Sequence, residues 1–187
     1  MRALLFAAAL SLVSVQGFAA PASAWAVDKI ASAVRFSSTL NGEAFSGVFR
    51  RWDAQIRFDP TDLAGSSVIA TIDVGSAATG DAQRDQALPT PTFLAADRFP
   101  RAMFTATTFK ALGAGRYLAI GQLSLRGVVK PLTLPFSLAI TGSRAAMTAN
   151  LALNRLAFGV GQNEWKSTDV LPASVNVQIA IAATRAK

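Results

Sequence analysis

The feature that most constrains this chain is a two-residue alternation of apolar and polar side chains in several short segments. It is strictest in residues 132–141, LTLPFSLAIT, where Leu, Leu, Phe, Leu and Ile occupy every second position. A period of two places one face of a β-strand on an apolar interior and the other in water. The alternation predicts eight strands, within residues 34–39, 47–58, 68–74, 102–109, 117–125, 132–140, 145–156 and 175–181.

Turn-forming residues separate most of these segments, among them Asn41-Gly42, Gly113-Ala114-Gly115 and Thr141-Gly142. Many short strands with short connections favour an all-β fold, either a sandwich or an up-and-down antiparallel barrel. Pro135 lies inside the strand with the strictest alternation and cannot donate a ladder hydrogen bond. It therefore predicts an edge, a bulge or a gap in the ladder at that point.

Two segments interrupt the strand pattern. Residues 79–88, TGDAQRDQAL, predict a short helix with Thr79 or Asp81 as its N-cap. Residues 156–172 contain glycines and no clean alternation, which is typical of a long loop that does more than connect. We expect this loop and residues 88–100, which contain three prolines, to border the opening of any cavity and to be more mobile than the strands.

The first 24 residues have the order of a secretory signal peptide. Arg2 is their only charged residue, an apolar run follows it, and Ala22-Ser23-Ala24 supplies the small residues of a cleavage site. The apolar run is too short to span a bilayer stably. We expect export, cleavage after Ala24 and a mature domain of residues 25–187; the alternative is an uncleaved anchor or a helix of the fold.

The chain contains no His and no Cys, which excludes Ser–His and Cys–His catalysis and argues against a zinc site. Its formal net charge is +7, but the basic residues are scattered, so no nucleic-acid partner is expected. The charge favours either contact with anionic lipid headgroups or simple solvation. The 11 acidic residues are dispersed, and many fall at turns. We therefore expect no catalytic residues, no metal and no required cofactor.

Several segments together resemble the YceI-like family of periplasmic polyisoprenoid-binding proteins. They are, in order, WAVD at 25–28, SAVRF at 32–36, FSGVF at 45–49, TGDAQRD at 79–85, GQLSLRGVVKP at 121–131 and RLAFG at 155–159. The piece at 121–131 is similar to the family hairpin G-x-L-T-x-x-G-V-T-x-P, and the resemblance covers residues 25–184 in order. Many members carry a His soon after the Phe of the first strand; here that stretch is Ser37, Ser38 and Thr39. Any role of that His is therefore not available in this chain.

The resemblance implies an eight-stranded antiparallel, extended lipocalin-like barrel in the periplasm that encloses an isoprenoid lipid, such as a quinone or a polyprenyl lipid. The period-two pattern predicts which side chains face inward, although a one-residue slip would invert a strand. These candidate lining residues are Phe36, Ile72, Phe104, Leu123, Leu125, Leu134, Phe136, Leu138, Val177 and Ile179. Candidate headgroup residues, chosen because they lie in the non-strand segments, are Arg84, Asp85, Arg155, Asn163, Glu164 and Trp165. The latter six could equally be salt bridges and loop anchors.

The residues alone do not decide whether the barrel is hollow or filled, because an eight-stranded barrel permits both. Two other functions stay open. A filled barrel would act by transient contact with a membrane surface, a membrane redox protein or another envelope protein. A hydrolase would need paired carboxylates, for which Asp85 and Glu164 are candidates.

Overall fold

A computed structural model describes residues 22–186. The predicted signal peptide lies almost entirely outside these residues, and its cleavage stays a prediction. The strands of the described chain are β1 Ala24–Leu40, β2 Glu43–Phe49, β3 Trp52–Arg57, β4 Ser67–Asp73, β5 Ala77–Ala78, β6 Arg101–Gly113, β7 Arg116–Leu125, β8 Val128–Thr141, β9 Arg144–Asn154 and β10 Ser174–Arg185. One α-helix, α1, spans Ala82–Ala87, and 3₁₀ turns span Val74–Ser76, Arg155–Phe158 and Asn163–Lys166.

Eight of these strands close into a barrel. Their order is β10-β9-β8-β7-β6-β4-β3-β1, and β1 pairs again with β10 to complete the ring. Every pairing is antiparallel, so the eight-stranded antiparallel barrel implied by the family resemblance is confirmed, and the sandwich that the alternation also allowed is wrong. Strand β2 pairs with residues 35–40 of β1, and β5 pairs with β2, so these two strands extend the sheet outside the barrel.

The predicted strand 47–58 is wrong as a single element. The chain bends at Arg50 and Arg51, so β2 joins the extension and β3 joins the barrel. Contacts with the turn after β4 hold this bend: the Arg50 amide donates to the Ser76 carbonyl, and the Arg51 amide donates to the Ser76 hydroxyl. Because these contacts are tertiary, local alternation does not reveal the break.

The first strand begins ten residues earlier than residue 34, at Ala24. A register shift between Asp28 and Ala33 interrupts its pairing with β10, and Ile30 in this bulge is 99% exposed. The bulge breaks the two-residue period. The alternation therefore detected only the second half of β1.

The gap predicted at Pro135 is confirmed. The Leu138 amide donates to the Gly115 carbonyl, so even-numbered residues of β8 hydrogen-bond toward β7 and odd-numbered residues face β9. The paired register between β8 and β9 covers Phe136 to Thr141 of β8, so it begins at the residue that follows the proline. Pro135 has no N–H with which to continue that ladder.

The two ends of the barrel are built differently. The β6–β7 and β8–β9 turns and the connection of residues 58–66 lie at one end, which we term the closed end. Helix α1, residues 88–100, the β7–β8 turn and residues 155–173 lie at the other end, which we term the mouth. The predicted short helix is confirmed, with Asp81 as its N-cap. Within residues 22–186 no helix is both long and apolar enough to cross a membrane.

Candidate functional site

A cavity of about 490 Å³ lies inside the barrel. This volume is in the usual range for small-molecule binding sites. All ten residues that the alternation predicted to face inward do line it, from Phe36 on β1 to Ile179 on β10. The choice of inner face was therefore correct on β1, β4, β6, β7, β8 and β10.

The cavity wall is almost wholly apolar. The polar or charged side chains among its lining residues are Asp53, Thr79, Asp81, Gln83, Arg84 and Arg155. Four of these six belong to α1 or to the residues just before it, at the mouth. A ligand that fills this space must be mainly hydrocarbon, and any polar group it carries finds partners beside α1.

Close packing on the neighbouring strand fixes Phe36. The residue pairs with Gly47 on β2, and a Cβ at Gly47 would clash with the Phe36 ring. Phe49 packs against the same ring with centroids 5.1 Å apart. The FSGVF segment thus supplies a glycine over which the ring can lie and an aromatic partner beside it.

Sequence reasoning missed many lining residues, including Trp25, Phe58, Phe109, Phe158 and Leu171. For Phe58 a signal existed, because Trp52, Ala54, Ile56 and Phe58 keep the two-residue period. Phe158 and Leu171 carry no such signal. They lie outside strands, and only the fold of the loop turns them inward.

An aromatic cluster closes the cavity at the closed end. The Phe58 ring lies edge-on to three others, with centroids 5.4 Å from Phe109, 5.2 Å from Tyr117 and 5.8 Å from Phe136. The Trp25 indole N–H donates to the Phe58 carbonyl at 2.9 Å and fixes the backbone at this position. Edge-to-face geometry favours each ring pair beyond its buried area.

The two non-strand segments predicted to border the opening meet at the mouth. Phe93 packs against Trp165 with centroids 5.3 Å apart. The amides of Gly161 and Gln162 both donate to the Thr92 carbonyl. Both Phe93 and Trp165 line the cavity, so residues 88–100 and 156–172 border it as predicted. Their greater mobility stays a prediction.

Arg155 organises the long loop from within. Its side chain is 4% exposed and donates to the carbonyls of Pro172, Val160, Ser167 and Leu171, at 2.7–3.1 Å. Burial lowers the pKa of this guanidinium below its ordinary value, and a guanidinium remains charged nevertheless. Arg155 lines the cavity as predicted, but most of its donors hold the loop, which is the loop-anchor alternative.

Arg84 and Trp165, the other predicted headgroup residues in the cavity wall, lie at the mouth. The Arg84 guanidinium lies 5.4 Å from the centre of the Phe45 ring and 3.6 Å from an Asp81 carboxylate oxygen. It is therefore a cation held at the rim by an aromatic ring and one carboxylate.

Asp85, Asn163 and Glu164, the other three headgroup candidates, are not among the residues that line the cavity. The Asp85 carboxylate accepts hydrogen bonds from the hydroxyl and the amide of Thr79, at 2.7 and 2.6 Å. The Thr79 hydroxyl, and next the Thr79 amide, hold the pKa of Asp85 below its ordinary value. Asn163 and Glu164 point to solvent from the outer side of a 3₁₀ turn.

Other carboxylates serve as structural partners. Asp53 pairs with Lys29 at 2.7 Å, and Asp73 pairs with Arg51 at 2.8 Å. In residues 22–186 no three His, Cys, Asp or Glu side chains come together as metal ligands would. Neither Asp85 nor Glu164, the candidate carboxylates for a hydrolase, is among the residues that line the cavity.

The geometry defines a class: a lipocalin-like antiparallel barrel with an apolar interior, closed by aromatic rings at one end and bordered by loops at the other. The YceI-like domain family matches residues 25–183. The chain belongs to this family.

Individual relatives agree with that assignment. A UPF0312 protein of Serratia proteamaculans is 34% identical over 142 residues, which are 73% of this chain and 70% of the relative. The crystal structure of Burkholderia cenocepacia BcnA is similar with a TM-score of 0.82 and 30% identity, covering 84% of this chain and 99% of BcnA. A polyisoprenoid-binding domain from Saccharophagus degradans, implicated in plant cell wall breakdown, shares the fold at 16% identity with a TM-score of 0.66, over 88% of this chain and 99% of that domain.

Proposed function

We propose that this protein binds a polyisoprenoid, either a quinone or a polyprenyl lipid, inside its barrel and sequesters or carries it without catalysing a reaction. The observation that carries the proposal is the apolar cavity lined by the inner faces of the strands. A polyisoprenoid-binding domain with the same fold supports the choice of ligand class.

The energetics suit a long hydrocarbon chain. Burial of apolar surface stabilises a complex by roughly 25 cal/mol per Å² removed from water. Such contact needs no hydrogen-bonding groups along the cavity wall, and this wall contains few of them. A polar head would rest at the mouth, where Thr79, Asp81, Gln83 and Arg84 are within the lining.

Export belongs to the proposal. Residues 1–24 have the signal-peptide order, so the carrier would work in the periplasm after cleavage behind Ala24. A carrier there must meet a membrane to load or deliver its lipid, and without Arg2 the mature chain keeps 17 basic against 11 acidic residues, a net charge of +6 that favours transient contact with anionic headgroups. Intact-mass measurement of exported protein tests cleavage, since retained residues 1–24 would contradict it.

Organic extraction of the purified mature protein, followed by mass spectrometry, tests the ligand. The expected result is a near-stoichiometric isoprenoid, lost in Leu138→Gln and retained in Val129→Gln. Leu138 lines the cavity on β8, whereas Val129 on the same strand is 57% exposed on the outer face. If delipidated protein rebinds no isoprenoid, the proposal fails and the interaction module becomes the better function.

A further inference from the structure

The floor of the cavity is one side chain that crosses the barrel. Phe58 follows the last residue of β3 and is 4% exposed. It lines the cavity, and its ring contacts aromatic side chains of β6, β7 and β8. Of its three ring partners, Phe109 and Phe136 also line the cavity, whereas Tyr117 does not.

The space on the far side of Phe58 is already filled. Leu63, Tyr117 and Ile140 pack against the same hydrophobic cluster but take no part in the cavity wall. All three lie next to the turns of the closed end. On the side of β6, β7 and β8 the hollow therefore ends at Phe58, and packed side chains continue beyond it, whereas on β9 and β10 the cavity wall extends to Ala145 and Ala183.

From this geometry we infer that Phe58 determines the longest isoprenoid chain that the cavity accepts. The inference rests on the proposed function, because it describes how the same cavity selects its ligand. A chain that enters from the mouth adds buried surface with each isoprene unit until its end meets the Phe58 ring. Any further unit must stay outside in water, where it contributes nothing to binding.

Variants can move the floor in both directions. Phe58→Leu and Phe58→Ala shorten the floor side chain and lengthen the hollow. Ala119 is 3% exposed, lines the cavity and pairs with Phe109 and Leu134, one inward position nearer the mouth than Tyr117. Ala119→Leu, or the smaller change Ala119→Val, should raise the floor.

The test titrates delipidated protein with a graded series of polyprenols, from geranylgeraniol to decaprenol. The three tryptophans, Trp25, Trp52 and Trp165, all line the cavity and provide the fluorescence signal. In the wild type, affinity should rise with chain length up to a certain length and then stay constant; that length is the limit that the variants should change. Phe58→Leu should move that limit to longer chains, with a gain of about tenfold or more for the next homologue. Ala119→Leu should move it to shorter chains.

Phe104→Leu is the matched control, because Phe104 lines the side wall of the barrel rather than its floor. It should change all affinities in the series by a similar factor and leave the limit in place. If Phe58→Ala fails to fold, Phe58→Leu and Ala119→Val carry the test. An unchanged limit in these folded variants would overturn the inference while leaving the carrier function intact. Failure of every polyprenol to bind the wild type would overturn the proposed function itself.

Discussion

The closed end and the mouth of this barrel are stabilised by different forces. At the closed end, the Phe58 ring packs against three aromatic rings and the Trp25 indole donates to the Phe58 carbonyl, while the side-chain hydrogen bonds of Asp59, Asp62 and Ser66 remain within the 58–66 connection. At the mouth, the Arg155 guanidinium holds four loop carbonyls, and Phe93 and Trp165 form one aromatic contact between two loops.

The difference indicates that the two ends have separate roles, one in stability and one in ligand exchange. Apolar packing at the closed end contributes to global stability and fixes the depth of the cavity. Hydrogen-bonded loops at the mouth can open locally without disturbing the barrel. Substitutions at the two ends should therefore separate into effects on stability and effects on ligand exchange.

The largest effect is expected at the floor. Phe58→Ala should lower the free energy of unfolding of ligand-free protein by about 3–5 kcal/mol, as for other buried aromatic residues. Phe136→Ala should cost noticeably less, because the ring is half-buried and one side of it faces the cavity. Urea denaturation of delipidated protein measures both, since bound lipid would mask the difference. Equal losses would show that Phe136 packs in a core and not along a tunnel.

Arg155→Met should have the next largest effect. It leaves buried loop carbonyls without donors, and we expect a loss of about 2–3 kcal/mol. Arg155→Lys should not restore stability, because an ammonium cannot reach carbonyls spread around a planar guanidinium. Hydrogen exchange should rise in residues 156–172 and remain unchanged in β6 and β7. Uniform exchange across the barrel would contradict the separation of the two ends.

The contact between the two mouth segments should contribute less. A double-mutant cycle of Phe93→Ala and Trp165→Ala is expected to give a coupling of about 0.5–1.5 kcal/mol. Either single variant should exchange polyprenol with vesicles several-fold faster than the wild type, because the mouth opens more often. The matched control is Leu112→Ala, because Leu112 is 50% exposed and lies at the closed end. Faster exchange in that control would weaken the assignment of the mouth.

The smallest effect is a pH dependence beside α1. Thr79 holds the pKa of Asp85 below its ordinary value of 3.8, so this carboxylate stabilises the fold above that pH. The contribution is lost as the pH falls through the lowered pKa. Asp85→Asn should therefore reduce the decline in Tm between neutral pH and pH values below 3.8, compared with the wild type. An identical decline in both proteins would show that the Thr79 contact does not persist in solution.

Much of the fold was predictable because the strands are half-buried, and half-burial imposes a period of two. The alternating apolar side chains of β8 and β10 illustrate this, because all of them that were predicted to face the cavity do so: Leu134, Phe136, Leu138, Val177 and Ile179. The start of β1 and the division of residues 47–58 were not predictable. A bulge hides the first, and hydrogen bonds from the Arg50 and Arg51 amides to Ser76 hold the second.

The candidate headgroup residues show the same limit. Arg84, Arg155 and Trp165 lie in the cavity wall, whereas Asp85, Asn163 and Glu164 do not. Position in a non-strand segment cannot distinguish these two groups, because a loop has no fixed inner face. The direction of each side chain depends on contacts with distant residues, such as Thr92 for the residues after Gly159.

The resemblance to the YceI-like family implied the closed barrel, whereas alternation and composition determined the all-β fold, the inner face of six strands and the absence of histidine and cysteine chemistry. The latter properties follow from local alternation and composition, which need no knowledge of long-range contacts. Only the tertiary structure decided where the hollow ends. Phe58 becomes a floor because closure of the barrel brings its ring against those of the consecutive strands β6, β7 and β8, which lie far from it in the chain, and Arg155 becomes an anchor because a loop closes around it.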